Sequence, residues 1–510
     1  MTAEKHCWEN KMNQTEKEKI NENIIHQYAR AKNNRQNWET HWQECYDYAL
    51  PQRGGFYSVA QPGTSRVKSL YDGTALDAVE QLAASLLGNL TPPWTPWFGF
   101  KPGPDLSESE ARSLAPVLED IAKKIQLHLD RSNFSVEMHQ CFLDLVVGGT
   151  STLFFEETAP GSSSAFKFSA VPLQEIYLEE GSKGFLDRTY RILLLTLAQI
   201  KNRYPAAVLP VKLMEDTTTD KQDKYKILEC IVPEKGAYLY KAFMIEDQSP
   251  VLLSEGRFSQ SPAISFRWMK SPGEIYGRSP VMKALPDIKT ANKVVELILK
   301  NASIAVTGIW QADDDGVLNP ANIDLVPGAI IPKAVGSQGL KPLDMPGRFD
   351  VSELVLKDLR SRIRHALLTD KLGPVVDGRM TATEILERSA EMGLLLGATY
   401  GRLQSELLTP LIERAFYILK RRGEIPDIEL DGRYVSLDYR SPLARSQGQR
   451  SVQNVLTWLN TVAAMGAEAS LSIDVDKTAR YLGESLGVPN DLIKTQILPE
   501  PLKGEGGDVL

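Results

Sequence analysis

The residues of this 510-residue chain that could do chemistry are few and poorly arranged for it. Asp313, Asp314 and Asp315 run consecutively into Gly316. A calcium loop alternates its ligands and closes with a distal Glu, whereas consecutive acids suit a solvated hairpin turn. EGSKGF, Glu180–Phe185, holds a Gly and a Lys. Its second Gly is misplaced for a phosphate-cradling loop, and the helix start is missing. Neither G-x-S-x-G nor H-E-x-x-H occurs. His128, His139 and His365 fall on predicted helices without partners at ligand spacing, and read as packed or solvated side chains. Cys7, Cys45, Cys141 and Cys230 lie far apart. That spacing argues against a zinc site and a disulfide framework and fits a reducing compartment. Cys141, between Gln140 and Phe142, reads as a small buried hydrophobe. The sequence thus predicts no catalytic residue, no metal and no cofactor.

The elements that would position a site are clearer. With 42% hydrophobic residues, the chain can build a sizeable core and more than one compact domain. No signal-type apolar core opens it, and no run of about 18 apolar residues predicts a membrane span. Residues 15–50 read as two helices, the second with Trp38, Trp42, Cys45 and Ala49 on one face and Pro51 as its stop. Helices are predicted over 73–90, from Ser107 towards His128 with a Ser107/Glu110 capping box, and over Phe134–Val147. Residues 150–270 alternate short β-rich runs with turn signals, predicting an antiparallel sheet layer with a short helix near LAQIKNRY.

Two helices then bracket a β-rich insertion. The first covers 280–302, with Val281, Leu285, Ile288, Val295, Ile298 and Ala302 on one side. The second covers 351–369, and residues 303–349 return to strand and turn. Each helix would span roughly 30 Å. Paired antiparallel, they form a stalk whose sides neighbouring subunits must cover, or a stalk lying flat on its own domain. After them comes DKLGPVVDGRMTATE, a connection broken by Gly373, Pro374 and Gly378, with Lys371 and Arg379 near its ends. The longest helical region, 381–422, follows, with Gly401 and Pro410 placed to bend or divide it. DGRYVSLDYRSPLARSQ reads as strand and loop. Two C-terminal helices follow, with Asp476 as N-cap of the last, and then a loose tail.

Several stretches carry a resemblance. They are WETHWQECYDYALP (Trp38–Pro51), DGTALDAVEQLAASLLGNLTPPWTPWF, GEIYGRSPVMKALPDIKTAN, DGVLNPANIDLVPGAII, GRMTATEILER, LQSELLTPLIERAFYIL and SPLARSQ. In this order, over about residues 20–495, the chain resembles the bacteriophage portal proteins, the head-to-tail connector family of short-tailed phages. Residues 1–15 and the stretch after Leu498 depart from the pattern. The resemblance implies an α+β, mainly helical portal fold of wing, stem, clip and crown, assembled as a homododecamer around a DNA channel at one capsid vertex. Wing would be 1–279, with its β-rich layer over 150–270. Stem would be 280–302 and 351–369, and the small β-rich clip 303–350. A tunnel loop would cover 370–380, a wing return 381–447, the crown 448–498 and a flexible tail 499–510. Implied partners are double-stranded DNA, the terminase large subunit, the tail adaptor and tail proteins, and the major capsid and scaffolding proteins. The implied place is the virion, after assembly in the host cytoplasm. A head–tail adaptor ring without a packaging-motor role is the alternative, though it would leave the wing and crown unexplained.

A DNA channel constrains charge. Every neutralised phosphate adds affinity, and a ring multiplies each side chain by the subunit number. A net charge of −7 per chain excludes a generally basic nucleic-acid binder and fits a repelling wall with local grips. Under the resemblance, the candidate DNA contacts are Lys371 and Arg379 at the loop, Lys283, Lys289, Lys293 and Lys300 on the first stem helix, and Arg360, Arg362 and Arg364 on the second. The loop itself is Gly373, Pro374, Val375, Val376, Asp377 and Gly378. The stem lysines could equally form solvated faces or pair with neighbours such as Glu296. Arg360 and Arg364 could bridge subunits, and Arg379 could cap the preceding helix or pair with Glu384.

Overall fold

The computed structural model describes residues 14–307 apart from 54, 57–62, 68, 94, 210–222 and 246–249. It further describes 310–311, 341–342, 349–372, 397–466 apart from 429 and 431, and 473–486. The run Asp313–Gly316, the loop residues Gly373–Gly378, Arg379, Cys7 and the stretch 381–396 lie outside the described residues.

Residues 14–49 form one helix, α1 (Gln14–Ala49), where the sequence suggested two. No Gly or Pro interrupts it, and each half has its own core to bury against. Ile24 and Ala31 pack with Tyr190, Leu228, Cys230 and Phe243 of a sheet, while Trp42, Cys45 and Ala49 enter the main core. Pro51 follows the helix end, as its missing N–H demands. Helix α2 (Thr74–Leu90), strand β1 (Phe98–Pro102), α3 (Glu108–Asp130) and α4 (Phe134–Gly148) come next. The Ser107/Glu110 capping box is present at the start of α3. His128 is a packed histidine, accepting from the Ala165 N–H at 3.1 Å and facing Glu424 at 2.8 Å.

The middle of the chain is antiparallel sheet, as its alternation predicts. Strands β2 (Thr150–Glu157) and β3 (Phe166–Val171) pair with each other. Strands β4 (Ile176–Glu179) and β5 (Arg188–Thr196) lead to α5 (Leu197–Arg203), which a Thr196/Gln199 capping box opens. Strands β6 (Lys224–Glu234), β7 (Ala237–Met244), β8 (Val251–Phe258) and β9 (Ala263–Arg267) complete the layer. One sheet has the order β3-β2-β9 and the other β4-β5-β6-β7-β8. Cys45, Cys141 and Cys230 are buried and unpaired.

Helix α6 spans Pro280–Thr307, so the chain stays helical through residues that the sequence read as strand. Short strands β10 (Trp310–Gln311) and β11 (Lys341–Pro342) pair antiparallel. Helices α7 (Phe349–Ala366) and α8 (Thr369–Leu372) follow. In the described part of the long helical region, α9 (Gly397–Leu403) passes through a π turn, Gln404–Leu408, into α10 (Thr409–Arg421). The π turn lies between Gly401 and Pro410, the two residues expected to disturb the helix. Pro410 has no N–H to offer the Glu406 carbonyl, which loosens that turn. Strand β12 (Val435–Tyr439) pairs antiparallel with β1, joining segments more than 300 residues apart. Helix α11 (Pro442–Ala464) begins inside SPLARSQ, a stretch read as loop from sequence, with Pro442 suited to a first helical position. The cap of α12 (Val475–Leu486) is Asp474 rather than Asp476, since Asp474 accepts from the Lys477 N–H at 3.0 Å.

The π turn turns a charge inward. Glu406 is buried there and meets Arg267, whose side chain has no exposed surface. Arg267 Nη2 donates to Glu406 Oε1 at 2.6 Å, and the Arg267 N–H donates to Oε2 at 2.9 Å. The remaining guanidinium donors reach the Ile275 carbonyl at 3.0 Å and the Gly184 carbonyl at 2.9 Å. Arg267 Nη1 also lies 3.3 Å from the partly exposed Glu180, so removing Glu406 takes away the main rather than the sole acid of a buried guanidinium, at a cost of up to about 3–5 kcal/mol. Glu406→Leu is therefore expected to lower the unfolding free energy by about that amount in a denaturant titration. The double replacement Arg267→Met/Glu406→Leu is expected to recover most of it; a double variant as unstable as the single one would refute the account.

Candidate nucleic-acid interface on the paired long helices

The paired helices are anchored at one end and open at the other. Gly149 ends α4 with φ +75, and a Cβ there would collide with the Gly277 carbonyl. Two glycines thus let the backbone crossing close. The Gly277 N–H donates to Thr150 Oγ1 at 2.8 Å, and Ser279 Oγ donates to the Val147 carbonyl at 2.8 Å. Ser279 Oγ also accepts from the Met282 N–H at 2.9 Å, capping the base of α6. Near the base, Val281, Leu285, Ile288 and Ala291 of α6, Leu359 and Ile363 of α7, and Leu367 just beyond α7 are buried. Further along, Val295 and Ile298 are only partly buried. Leu297 is 47% exposed, Leu299 52%, Leu354 72% and Val355 45%. The helices run antiparallel: Asp287, near the start of α6, meets Arg362, near the end of α7, at 2.9 Å.

Both helices hold the same linker. Asn292 of α6 accepts from the Tyr71 N–H at 2.6 Å and the Asp72 N–H at 3.1 Å, and donates to the Ser69 carbonyl at 3.0 Å. Arg360 of α7 pairs with the buried Asp72 carboxylate at 2.8 Å. Asp72 in turn accepts from the Thr74 N–H at 3.0 Å, at the start of α2. Burial alone would raise the Asp72 pKa; the bonds from Thr74 and Arg360 outweigh it and hold the carboxyl below its ordinary value. Neither Asp72 nor Asn292 was visible as a partner in the sequence, because 220 to 288 residues separate them from what they touch.

The candidate cations fall into three groups. Lys289 lies 2.8 Å from Glu44 and over the Tyr48 ring. Lys293 and Lys300 both reach Glu296, at 3.0 and 2.6 Å, which is the neighbour pairing the sequence offered as an alternative. Hydrogen bonds from Lys300 and then Lys293 hold the Glu296 carboxyl below its ordinary pKa. With Arg360 on Asp72 and Arg362 on Asp287, these five each face an acid of the same chain. Lys283 and Arg364 are exposed, without an ion-pair partner among the described residues. Lys371 belongs to α8, and its side chain is outside those described, as are Arg379 and the loop between them. Among the described residues no cluster of His, Cys, Asp and Glu is arranged to hold a metal.

Residues 21–493 match the family of the bacteriophage head to tail connecting proteins. The chain belongs to that family. The resemblance read from its motifs is therefore membership. The portal protein of Salmonella phage epsilon15 is 26% identical over 521 residues, covering 95% of this chain and 90% of the relative. The probable portal protein of Bordetella phage BPP-1 is 24% identical over 497 residues, covering 92% and 88%. Among solved structures, a chain of the native gene transfer agent virion aligns over 82% of this chain and 92% of its own length, at 12% identity and a TM-score of 0.39. As a head-to-tail connector of the portal family, the protein is a structural, non-enzymatic component of the virion at the head–tail junction.

The linker clamp of this connector should be measurable. Arg360→Ala leaves the buried Asp72 without its cation and is expected to cost about 1–3 kcal/mol of stability at neutral pH. Lys293→Ala, at an exposed pair, is expected to cost under about 0.5 kcal/mol. A depressed folded-state pKa contributes stability that is present above the unfolded value and is lost as pH falls through the folded one. The Arg360→Ala deficit should therefore shrink on acidification below the ordinary Asp range. A deficit that stays constant down through that range would remove Asp72 as its cause.

Proposed function

We propose that the connector works as a ring, a homododecamer, whose paired helices α6 and α7 form the stem of a channel for double-stranded DNA during packaging and ejection. The observation that carries this reading is the exposed apolar surface of those helices. Leu297, Leu299, Leu354 and Val355 stand in water in a single chain, and two helices cannot cover their own outer sides. Copies around an axis would cover them. In this reading residues 1–279 are wing, 303–350 clip and 448–498 crown, and 381–447 return through the wing. The clip docks the terminase large subunit during packaging and the tail adaptor and tail proteins afterwards, while the wing meets the major capsid and scaffolding proteins. The loop Gly373–Gly378, with Lys371 and Arg379, faces DNA as a valve. The exposed Lys283 and Arg364 supply further local contacts, and the five cations paired within the chain supply less.

Native mass measurement and electron microscopy of the assembled protein test the ring. A wide ring with a central hole and a narrow stem is expected; a compact monomer would reject it. Leu297→Lys/Leu354→Lys is expected to shift the chain from rings towards monomers without loss of helicity. Lys371→Ala/Arg379→Ala is expected to leave rings intact but to change DNA retention in filled heads. Unchanged packaging and retention in that variant would sink the valve.

A further inference from the structure

A cleft of about 460 Å³ opens where the two sheets and α10 meet, away from the stem. Glu156 and Glu157, at the end of β2, form one end of it. Strand β8 gives one wall, and Arg414, Tyr417 and Ile418 of α10 give another. Aromatic surface crossed by a few charges is the usual make-up of a ligand site.

Those charges pair off, with one exception. Arg203 meets Glu229 at 2.8 Å, Arg257 meets Glu234 at 2.7 Å, and Arg421 meets Glu157. Arg414 meets no acid at ion-pair distance among the described residues, although it is only 5% exposed. Its Nε donates to the Phe155 carbonyl at 2.8 Å and its Nη1 to the Gln260 carbonyl. The guanidinium lies over the Phe155 and Phe258 rings, 5.6 and 5.5 Å from their centroids. Nη2 has no hydrogen-bond partner among the described residues, and it is not sealed from solvent. The opening beside it is the cleft that Arg414 lines.

Carbonyls and ring faces bring only partial charge, and a buried cation without a full countercharge is costly. Burial pushes the Arg414 pKa down to about 10, while Glu156 pulls the other way from beyond ion-pair distance. The missing group is therefore an anion, and one charge suffices. A phosphate dianion would set its second charge against Glu156 and Glu157. A carboxylate suits the planar donor edge of a guanidinium, and the aromatic lining suits an apolar stem behind it.

We propose that this cleft binds a monocarboxylate with an apolar stem, its carboxylate on Arg414 Nη2 and its stem against Phe258 and Tyr417. A free organic acid and an acidic side chain of a partner segment share that chemistry. The inference does not rest on the ring, because every residue named belongs to one chain.

The test uses the full chain with two probes, 3-phenylpropionate and acetyl-Phe-Glu-Val-amide, read by saturation-transfer NMR and calorimetry. Both should bind, and 3-phenylpropionamide and the Gln peptide should bind at least about tenfold more weakly. Arg414→Met, where its circular dichroism matches the parent chain, should lose that preference for the acid. Glu156→Gln, at a partly exposed position, removes a competing negative charge and should tighten binding about two- to fivefold. A peptide at least about tenfold tighter than the free acid would assign the site to a protein partner, and equal affinities to a small organic acid. Absence of binding by both acids, equal binding of acid and amide, or weaker binding by Glu156→Gln would overturn the proposal. Inorganic phosphate displacing either probe at lower concentration than acetate would overturn it too.

Discussion

Arg267 sits without exposed surface among β9, the β4–β5 turn and the π turn before α10, and Glu406 is the group that makes this tolerable. A guanidinium in that position loses its water, and only a carboxylate with well-placed carbonyls can replace it. The pair therefore fixes several things at once. It sets the depth of the π turn against the sheet, because both Glu406 oxygens are used and one of them holds the β9 backbone. It sets the β4–β5 turn, whose Gly184 carbonyl takes a guanidinium donor. It holds the Ile275 carbonyl, only a few residues before α6 begins. A single charge pair thus relates the returning helix, the sheet layer and the approach to the paired helices.

The second constraint follows from the first. With the base of α6 fixed by Ser279 and the Gly149–Gly277 crossing, the direction of the long helices is set by what holds them further out. That hold is the linker Ser69–Asp72, gripped from one side by Asn292 and from the other by Arg360. Backbone N–H groups bonded to a side-chain amide, and a carboxylate bonded to a guanidinium, have narrow geometric tolerance. The two helices are consequently held relative to α2 as well as to each other, while their outer apolar residues stay uncovered.

Much of this order was legible in the sequence, and the limits have physical causes. Helix starts were readable where a local device makes them, as at Ser107 and Glu110. The disturbance of the long helix between Gly401 and Pro410 was readable because it is a property of those two residues. The division of α1 into two helices was an error of locality: no breaker is present, and two separate cores hold it as one. The Asp474 cap was missed because Asp476 offers the same chemistry two residues on. The pairings of Asp72 with Arg360, Asn292 with the Ser69–Asp72 linker and Glu406 with Arg267 gave no local signal, since these partners lie far along the chain. For the candidate cations, sequence could name the lysines and arginines and anticipate Glu296, but not that Glu44, Asp287 and Asp72 would also face them.

Under the proposed ring, that pairing bears on how such helices would line a DNA path. A bare cation on every subunit would then be repeated around the axis, and phosphate affinity rises with each contact made. Five of the named cations are instead already opposed by acids of their own chain. A phosphate approaching them must compete with a carboxylate at hydrogen-bonding distance, so each offers less net attraction than its charge suggests. Two of the pairs also connect elements: Arg362–Asp287 ties α6 to α7, and Arg360–Asp72 ties α7 to the α2 linker. A wall built this way would be stiffened by the interactions that keep it from holding DNA, and any grip would fall to the few cations outside the pairs.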